Sequence, residues 1–126
     1  MRDVSDRVPG LLAASAMGVY LLVLVGTTVA VTDATATCGA WPACGDGTAL
    51  PTTVAGTLVI GHRLAAVGVG LLVLVAGVAA WRGNRSRRVR AALGISMCCY
   101  PVQAALGAVV ATAGPTAALS AAHLIV

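Results

Sequence analysis

Long runs of apolar residues, separated by short polar segments, dominate this chain of 126 residues. Three of the runs, residues 10–31, 55–80 and 91–113, each have about the 20 residues that a helix needs to cross a bilayer. They predict three complete transmembrane helices. The first run is too long to be the apolar region of a cleaved signal peptide, so we expect it to be retained as a helix.

A fourth apolar run, residues 117–126, follows the turn residues Gly114 and Pro115. A helix of about ten residues is ~15 Å long, which is roughly half of the ~30 Å hydrocarbon core. We therefore expect an all-α, polytopic transmembrane helix bundle with three complete spans and the start of a fourth. Residues 1–126 would form a single module that is truncated within its fourth helix.

The composition supports a membrane protein and sets its expected orientation. The chain is 59% hydrophobic and 10% charged, whereas a soluble domain has roughly a quarter of charged residues. Seven of its eight basic residues lie before the first span or in the Arg82–Arg90 loop between the second and third. The positive-inside rule places the N-terminus and this loop in the cytoplasm, and the Cys38–Cys44 loop outside the cell. A basic run can also bind nucleic acid, but its position between two spans favours topology, so we expect the lipid bilayer as a partner and no nucleic acid.

Glycine and alanine recur along the predicted helices. The first has Gly10, Ala14 and Gly18 at every fourth position, and the others also contain several glycines, among them Gly61, Gly68, Gly70, Gly77, Gly94 and Gly107. Small residues at this spacing let helices approach closely, so we expect a tightly packed bundle. The general abundance of glycine and alanine in membrane helices explains about half of the pattern.

Two histidines are candidate metal ligands. His62 in the second span and His123 in the fourth run both lie about seven residues from the outer ends of their helices, at a depth of ~10 Å. Two imidazoles at one depth on neighbouring helices can bind a heme iron from opposite sides of the porphyrin. The alternative is that each histidine is a polar residue satisfied by packing within the bundle.

Arg63 and Gln103 are polar residues that need partners inside the membrane. An unpaired guanidinium at this depth costs at least ~2.5 kcal/mol, and a heme propionate is the simplest anion to offset that cost. The alternative is that the arginine side chain extends to the headgroups. The amide of Gln103 must form hydrogen bonds either to another helix or to a ligand in a cavity.

Four cysteines fall into two pairs. Cys38 and Cys44 are close enough in the outer loop for a disulfide, with a redox-active thiol pair or a metal site as alternatives. Trp41 between them is expected at the membrane interface, where it can form part of a lid. Cys98 and Cys99 in the third span are expected to be small apolar fillers.

These motifs together resemble the N-terminal four-helix half of the heme A synthase family. The resemblance covers nearly the whole chain and rests on four segments: Cys38-Gly-Ala-Trp-Pro-Ala-Cys44, Gly61-His62-Arg63-Leu64, Gln103-Ala-Ala-Leu-Gly107 and Ala122-His123-Leu124. It implies that His62 and His123 bind heme iron and that the loop cysteines can form a disulfide. Full enzymes of this family oxidise a methyl group of heme O. Val59 stands where the family commonly has a glutamate.

Gly-His-Arg-Leu-Ala-Ala and Tyr-Pro-Val-Gln also resemble a module that precedes the prenyltransferase domain in some archaeal protoheme IX farnesyltransferases, which make heme O. That chemistry uses Asp-rich sites for Mg²⁺ and diphosphate. This chain has only four scattered aspartates, Asp3, Asp6, Asp33 and Asp46.

The sequence therefore favours a heme-handling membrane module of heme O or heme A biosynthesis, with a b- or o-type heme as cofactor. The first alternative is the N-terminal part of a protoheme IX farnesyltransferase whose catalytic domain lies elsewhere. Electron transfer by a b-type heme, or a plain membrane anchor, is the second. The sequence identifies no catalytic residue and leaves enzymatic activity open, and we expect a second copy or a fused domain as a further partner.

Overall fold

The computed structural model describes residues 4–38, 40–42, 44 and 51–125. Its helices are α1 (Val4–Val31), α2 (Val54–Arg82), α3 (Arg87–Ala113) and α4 (Ala117–Ile125), with a short 3-10 helix at Ala34–Thr37. The first three are long and apolar enough to cross a membrane, and the described residues contain no strand. The predicted all-α transmembrane bundle is confirmed, while truncation within α4 stays a prediction.

Hydroxyl side chains cap the N-termini of three of the helices. Thr53 accepts a hydrogen bond from the backbone N–H of Gly56 at 3.0 Å, which satisfies one of the free donors at the start of α2. Ser86 serves α3 and Thr116 serves α4 in the same way. Gly114 ends α3 with a φ of 85°, a conformation that glycine adopts without strain. The helices therefore stop where short polar signals interrupt the apolar runs.

Helix α2 lies at the centre of the bundle. It packs against both α1 and α3, and α4 packs against α3. In the most apolar 18-residue segment of each helix, 28% of the residues are buried in α2, compared with 11% in α1 and 6% in α3. Only four residues, 83–86, connect α2 to α3, so these two helices run antiparallel as neighbours. Most of the α1 and α3 surface is consequently left for lipid.

The buried side chains form two clusters at opposite ends of the bundle. At the arginine end, defined by the loop 83–86, the core consists of Val8, Ala76, Ala79, Ala80 and Leu93. At the cysteine end, defined by Cys38 and Cys44, it consists of Val29, Ala34, Cys38, Cys44 and Val59. The second cluster joins the loop of Cys38 and Cys44 to α1 and α2, and it lies beside the candidate site.

Some glycines allow close helix contacts, and others do not. A Cβ atom built on Gly70 would lie 2.7 Å from the ring of Tyr100, and one on Gly77 would lie 2.5 Å from the sulfur of Met97, so both glycines bring α3 close to α2. In contrast, a Cβ atom would meet nothing within 4 Å at three positions: Gly10, Gly61 and Gly68. The expectation that all of these glycines support tight packing is therefore wrong for these three, which face open space.

Candidate functional site

His62 lies on α2 and packs against α1. It is eight residues from the start of α2, which corresponds to about 12 Å along the helix axis. A Cβ atom built on Gly26 of α1 would lie only 2.9 Å from Cε1 of His62. The absence of a side chain at Gly26 therefore lets the imidazole lie between the two helices in this position.

His123 has the same arrangement on the other pair of helices. It lies six residues from the start of α4, about 9 Å along the axis, and its ring packs against Gly107 of α3. A Cβ atom built on Gly107 would lie 3.2 Å from Cε1 of His123. In both helix pairs, an imidazole on the second helix thus rests on a glycine of the first.

The two imidazoles share an environment. Each ring is half-buried and packs against a glycine of a neighbouring helix. The Nδ1 atom of each ring is buried and has no hydrogen-bond partner within the part of the chain that the structure describes. Burying a polar atom without a partner costs about 1–3 kcal/mol, so a ligand that contacted these nitrogens would relieve that cost. Sequence reasoning identified both residues but not the two glycines against which they pack.

Gln103 connects α3 to α4 beside His123. Its Nε2 donates a hydrogen bond to the backbone carbonyl oxygen of His123 at 2.6 Å. Its Oε1 is buried, and no described residue donates a hydrogen bond to it. Both alternatives for Gln103 therefore retain support, because one end of the amide joins another helix and the other end can accept a hydrogen bond from a ligand.

Arg63 extends toward the loop that contains Cys38 and Cys44. Its Nη1 donates hydrogen bonds to the carbonyl oxygens of Ala40 and Pro42, each at 2.9 Å. Carbonyl oxygens carry partial negative charge, so they meet part of the need of a guanidinium for acceptors in the membrane. The sequence did not suggest this arrangement, in which Arg63 holds the loop over the cysteine end of α2. Binding of a heme propionate by Arg63 stays a prediction.

Cys38 and Cys44 lie next to each other in that loop. Their Cα atoms are 4.5 Å apart, which is within the range of disulfides, and both side chains are buried. Trp41, between them, is 52% exposed. The loop is therefore compact, while the lid role of Trp41 stays a prediction.

Tyr100 is a polar residue whose role the sequence did not reveal. Its hydroxyl donates a hydrogen bond of 2.5 Å to the backbone carbonyl oxygen of Ala66, one helical turn from His62. This bond joins α3 to α2 near the middle of the membrane. Neighbouring Cys98 is exposed and Cys99 is half-buried, so the expected filling role is wrong for Cys98.

The chain is similar to part of several protoheme IX farnesyltransferases. The chain is 52% identical over 119 residues to the protoheme IX farnesyltransferase of Haloquadratum walsbyi, and 53% identical over 115 residues to that of Haloarcula marismortui. The chain resembles part of these enzymes. Protoheme IX farnesyltransferase 1 of Natronomonas pharaonis is 43% identical over 117 residues.

The coverage of these matches is unequal. They include 94%, 91% and 93% of this chain, respectively, but only 25%, 24% and 24% of the relatives. The chain therefore spans about a quarter of the length of the curated relatives that it matches. No protein-family model matches the chain, and no solved structure matches it. These relatives support the farnesyltransferase alternative better than the heme A synthase interpretation, which no comparison supports.

Proposed function

We propose that this chain is a heme-binding transmembrane module that acts in heme O synthesis, within an enzyme of the protoheme IX farnesyltransferase type. The observation that carries this proposal is the similarity of more than nine-tenths of the chain to one quarter of three such enzymes. Protoheme IX, the substrate that their name states, is the ligand that we assign to the module.

The acidic residues explain why we assign binding to this module, and not prenyl transfer. Transfer from a prenyl diphosphate needs carboxylates that hold Mg²⁺ ions at the phosphates. The four acidic residues of the chain are all aspartates, and none lies in residues 10–31, 55–80 or 91–113. Asp3 and Asp46 also lie outside the described residues. The transfer step would therefore use residues outside these 126.

The side chains around His62 and His123 fit a heme. Imidazole nitrogen is a common axial ligand of heme iron, and the two rings lie at similar depths on helices that belong to one bundle. Their buried Nδ1 atoms are without partners among the described residues. Bound protoheme would supply the iron and the porphyrin substrate. The protein would hold the iron through the two rings, and Gln103 Oε1 would offer a hydrogen-bond acceptor beside them.

Two features support a location of this site near the outer face of the membrane. The arginine-rich loop at the other end of the bundle favours a cytoplasmic location for that end, so the cysteine end would lie outside. The adjacent positions of Cys38 and Cys44 then favour a disulfide, since thiols oxidise readily outside the cytoplasm. The bridge would fix the loop whose carbonyl groups bind Arg63.

Oxidation of heme O, the activity of heme A synthases, is not part of the proposal. Val59, three residues before His62, is an apolar side chain with 2% exposure in the core of the cysteine end. It can neither donate nor accept a proton. The relatives are also named for farnesyl transfer and not for oxidation.

A domain exchange tests the proposal. This chain would replace the matching quarter of the Haloarcula marismortui enzyme, and heme O formation from protoheme and farnesyl diphosphate would be measured in membranes. We expect the chimera to make heme O and an enzyme lacking this quarter to make much less. Undiminished heme O formation without the module, together with unchanged protoheme binding by the enzyme that lacks it, would refute the proposal.

A further inference from the structure

Helix α4 carries His123 but buries little of its own surface. None of its described residues is fully buried. Residues 114–116 connect it to α3, so the two helices run antiparallel as neighbours. Because little apolar surface is removed from contact with the membrane, burial is a weak determinant of where this helix lies. The position of the His123 imidazole therefore depends on individual contacts between α4 and α3.

One face of α3 contacts both the main chain and the ring of His123. Gln103 and Gly107 are four residues apart in α3, so they lie on the same face of that helix, one turn from each other. Nε2 of Gln103 donates a hydrogen bond to the backbone carbonyl oxygen of His123 at 2.6 Å. The ring of His123 packs against Gly107, where a Cβ atom would lie 3.2 Å from Cε1. The two contacts together restrict both the rotation of α4 about its axis and its displacement along α3.

The amide of Gln103 can bind this carbonyl group in only one orientation. A carbonyl oxygen accepts hydrogen bonds and cannot donate them, so the NH₂ group and not Oε1 must face it. The oxygen has two lone pairs, so it can accept from Gln103 in addition to a bond within its own helix. Methionine has a similar length and no donor. Gln103→Met therefore removes the hydrogen bond while an unbranched side chain still fills the space.

We infer that Gln103 is a positioning residue for heme ligation, because its bond to the main chain of His123 holds α4 where the imidazole rests on Gly107. This inference rests on the proposed function, since it takes His123 as a ligand of the heme iron. Ligand side chains must stay within about 0.5 Å of their productive position. Without the bond, α4 can rotate or slide against α3, and the His123 imidazole should leave the iron more often than that of His62.

Gln103→Met and Tyr100→Phe are a matched pair of variants. Each removes one hydrogen bond from a side chain of α3 to a backbone carbonyl oxygen, but the bond of Tyr100 goes to Ala66 of α2 and not to α4. Both variants should therefore lose a similar amount of stability in thermal unfolding. A merely structural role of Gln103 predicts that the two variants also behave alike toward heme.

The first measurement uses the chimeric enzyme that carries this chain, reconstituted with protoheme. Gln103→Met should weaken heme binding at least about tenfold and convert part of the absorption and electron paramagnetic resonance spectrum to high spin. Tyr100→Phe should keep the low-spin spectrum and change heme affinity by less than about twofold. A fully low-spin spectrum in Gln103→Met, or equal effects of the two variants, would overturn the inference.

The second measurement is amide hydrogen exchange of the same proteins without heme. Gln103→Met should speed exchange in α4 about 3- to 16-fold, the equivalent of one interhelical hydrogen bond in a membrane, and Tyr100→Phe should leave α4 unchanged. Unchanged exchange of α4 in Gln103→Met would overturn the inference. Absence of heme from the wild type would instead refute the proposed function, and the exchange of α4 would then still decide whether Gln103 holds His123 in place.

Discussion

Gly26 determines where the imidazole of His62 can lie, so replacing it with alanine is a sharp test of the site. The Cβ atom of alanine would lie 2.9 Å from Cε1 of His62, whereas carbon atoms in contact are normally 3.5–4.0 Å apart. The ring must therefore move away by about 0.6–1.1 Å. Binding sites tolerate displacements of only about 0.5 Å, and changes beside a metal ligand typically weaken metal binding about 10- to 100-fold.

We expect Gly26→Ala to weaken heme binding by at least about tenfold without unfolding the protein. The clash involves the far end of a side chain that can rotate, and alanine favours a helix interior by about 0.8–1 kcal/mol over glycine. Gly107→Ala should have a smaller effect, because its Cβ atom would lie 3.2 Å from Cε1 of His123. Gly68→Ala is the control, since a Cβ atom there meets nothing within 4 Å.

The assay is a titration of each purified variant with protoheme, followed by the Soret absorbance, alongside thermal unfolding by circular dichroism. The expected order of the loss in heme affinity is Gly26→Ala, then Gly107→Ala, then Gly68→Ala. If Gly26→Ala bound heme as tightly as Gly68→Ala, the position of His62 beside Gly26 would not matter for heme binding. The reasoning from ring displacement would then be refuted.

Three further predictions concern the contacts around the site. Tyr100→Phe removes the hydrogen bond to Ala66 and should lower the free energy of unfolding by about 0.6–1.7 kcal/mol in a detergent unfolding assay. An equal loss in the control Tyr20→Phe, whose ring is 61% exposed, would contradict this prediction. Arg63→Gln removes the guanidinium that donates to Ala40 and Pro42 and should speed amide hydrogen exchange in the loop at least about tenfold. Unchanged exchange would mean that Arg63 does not hold the loop. Cys38 and Cys44 should react with a membrane-impermeant thiol reagent on intact cells only after reduction, and labelling without reduction would count against the disulfide.

The positions of the helices could be predicted within a few residues. A membrane requires every backbone polar group to be satisfied internally, so a long apolar run has few alternatives to a helix. The run 55–80 became α2 at Val54–Arg82, and 91–113 became α3 at Arg87–Ala113. The additional residues at the start of each helix directly follow Thr53 and Ser86, which cap the two helices.

The faces that pack could not be predicted in the same way. A helix that is apolar on all sides has no polar stripe to indicate which side meets lipid. Gly68 and Gly70 therefore look alike in the sequence, although only Gly70 contacts another helix through Tyr100.

The backbone carbonyl groups that accept hydrogen bonds from these side chains also could not be predicted from the sequence. Arg63 binds two carbonyl oxygens in the loop, Tyr100 binds that of Ala66, and Gln103 binds that of His123. Every residue has a carbonyl group, so side-chain identity gives no sign of which one is used. The polar residues themselves were recognisable, because a buried polar group in a membrane must have a partner.

Ligation of one heme by both His62 and His123 is the central claim, and the absorption and electron paramagnetic resonance spectra of the protein test it most directly. Reconstituted with protoheme, within an enzyme in which α4 continues beyond Ile125, the protein should give a six-coordinate, low-spin spectrum. His62→Ala and His123→Ala should each convert that spectrum to high spin or abolish heme binding. A low-spin spectrum that survives both single substitutions would contradict the account.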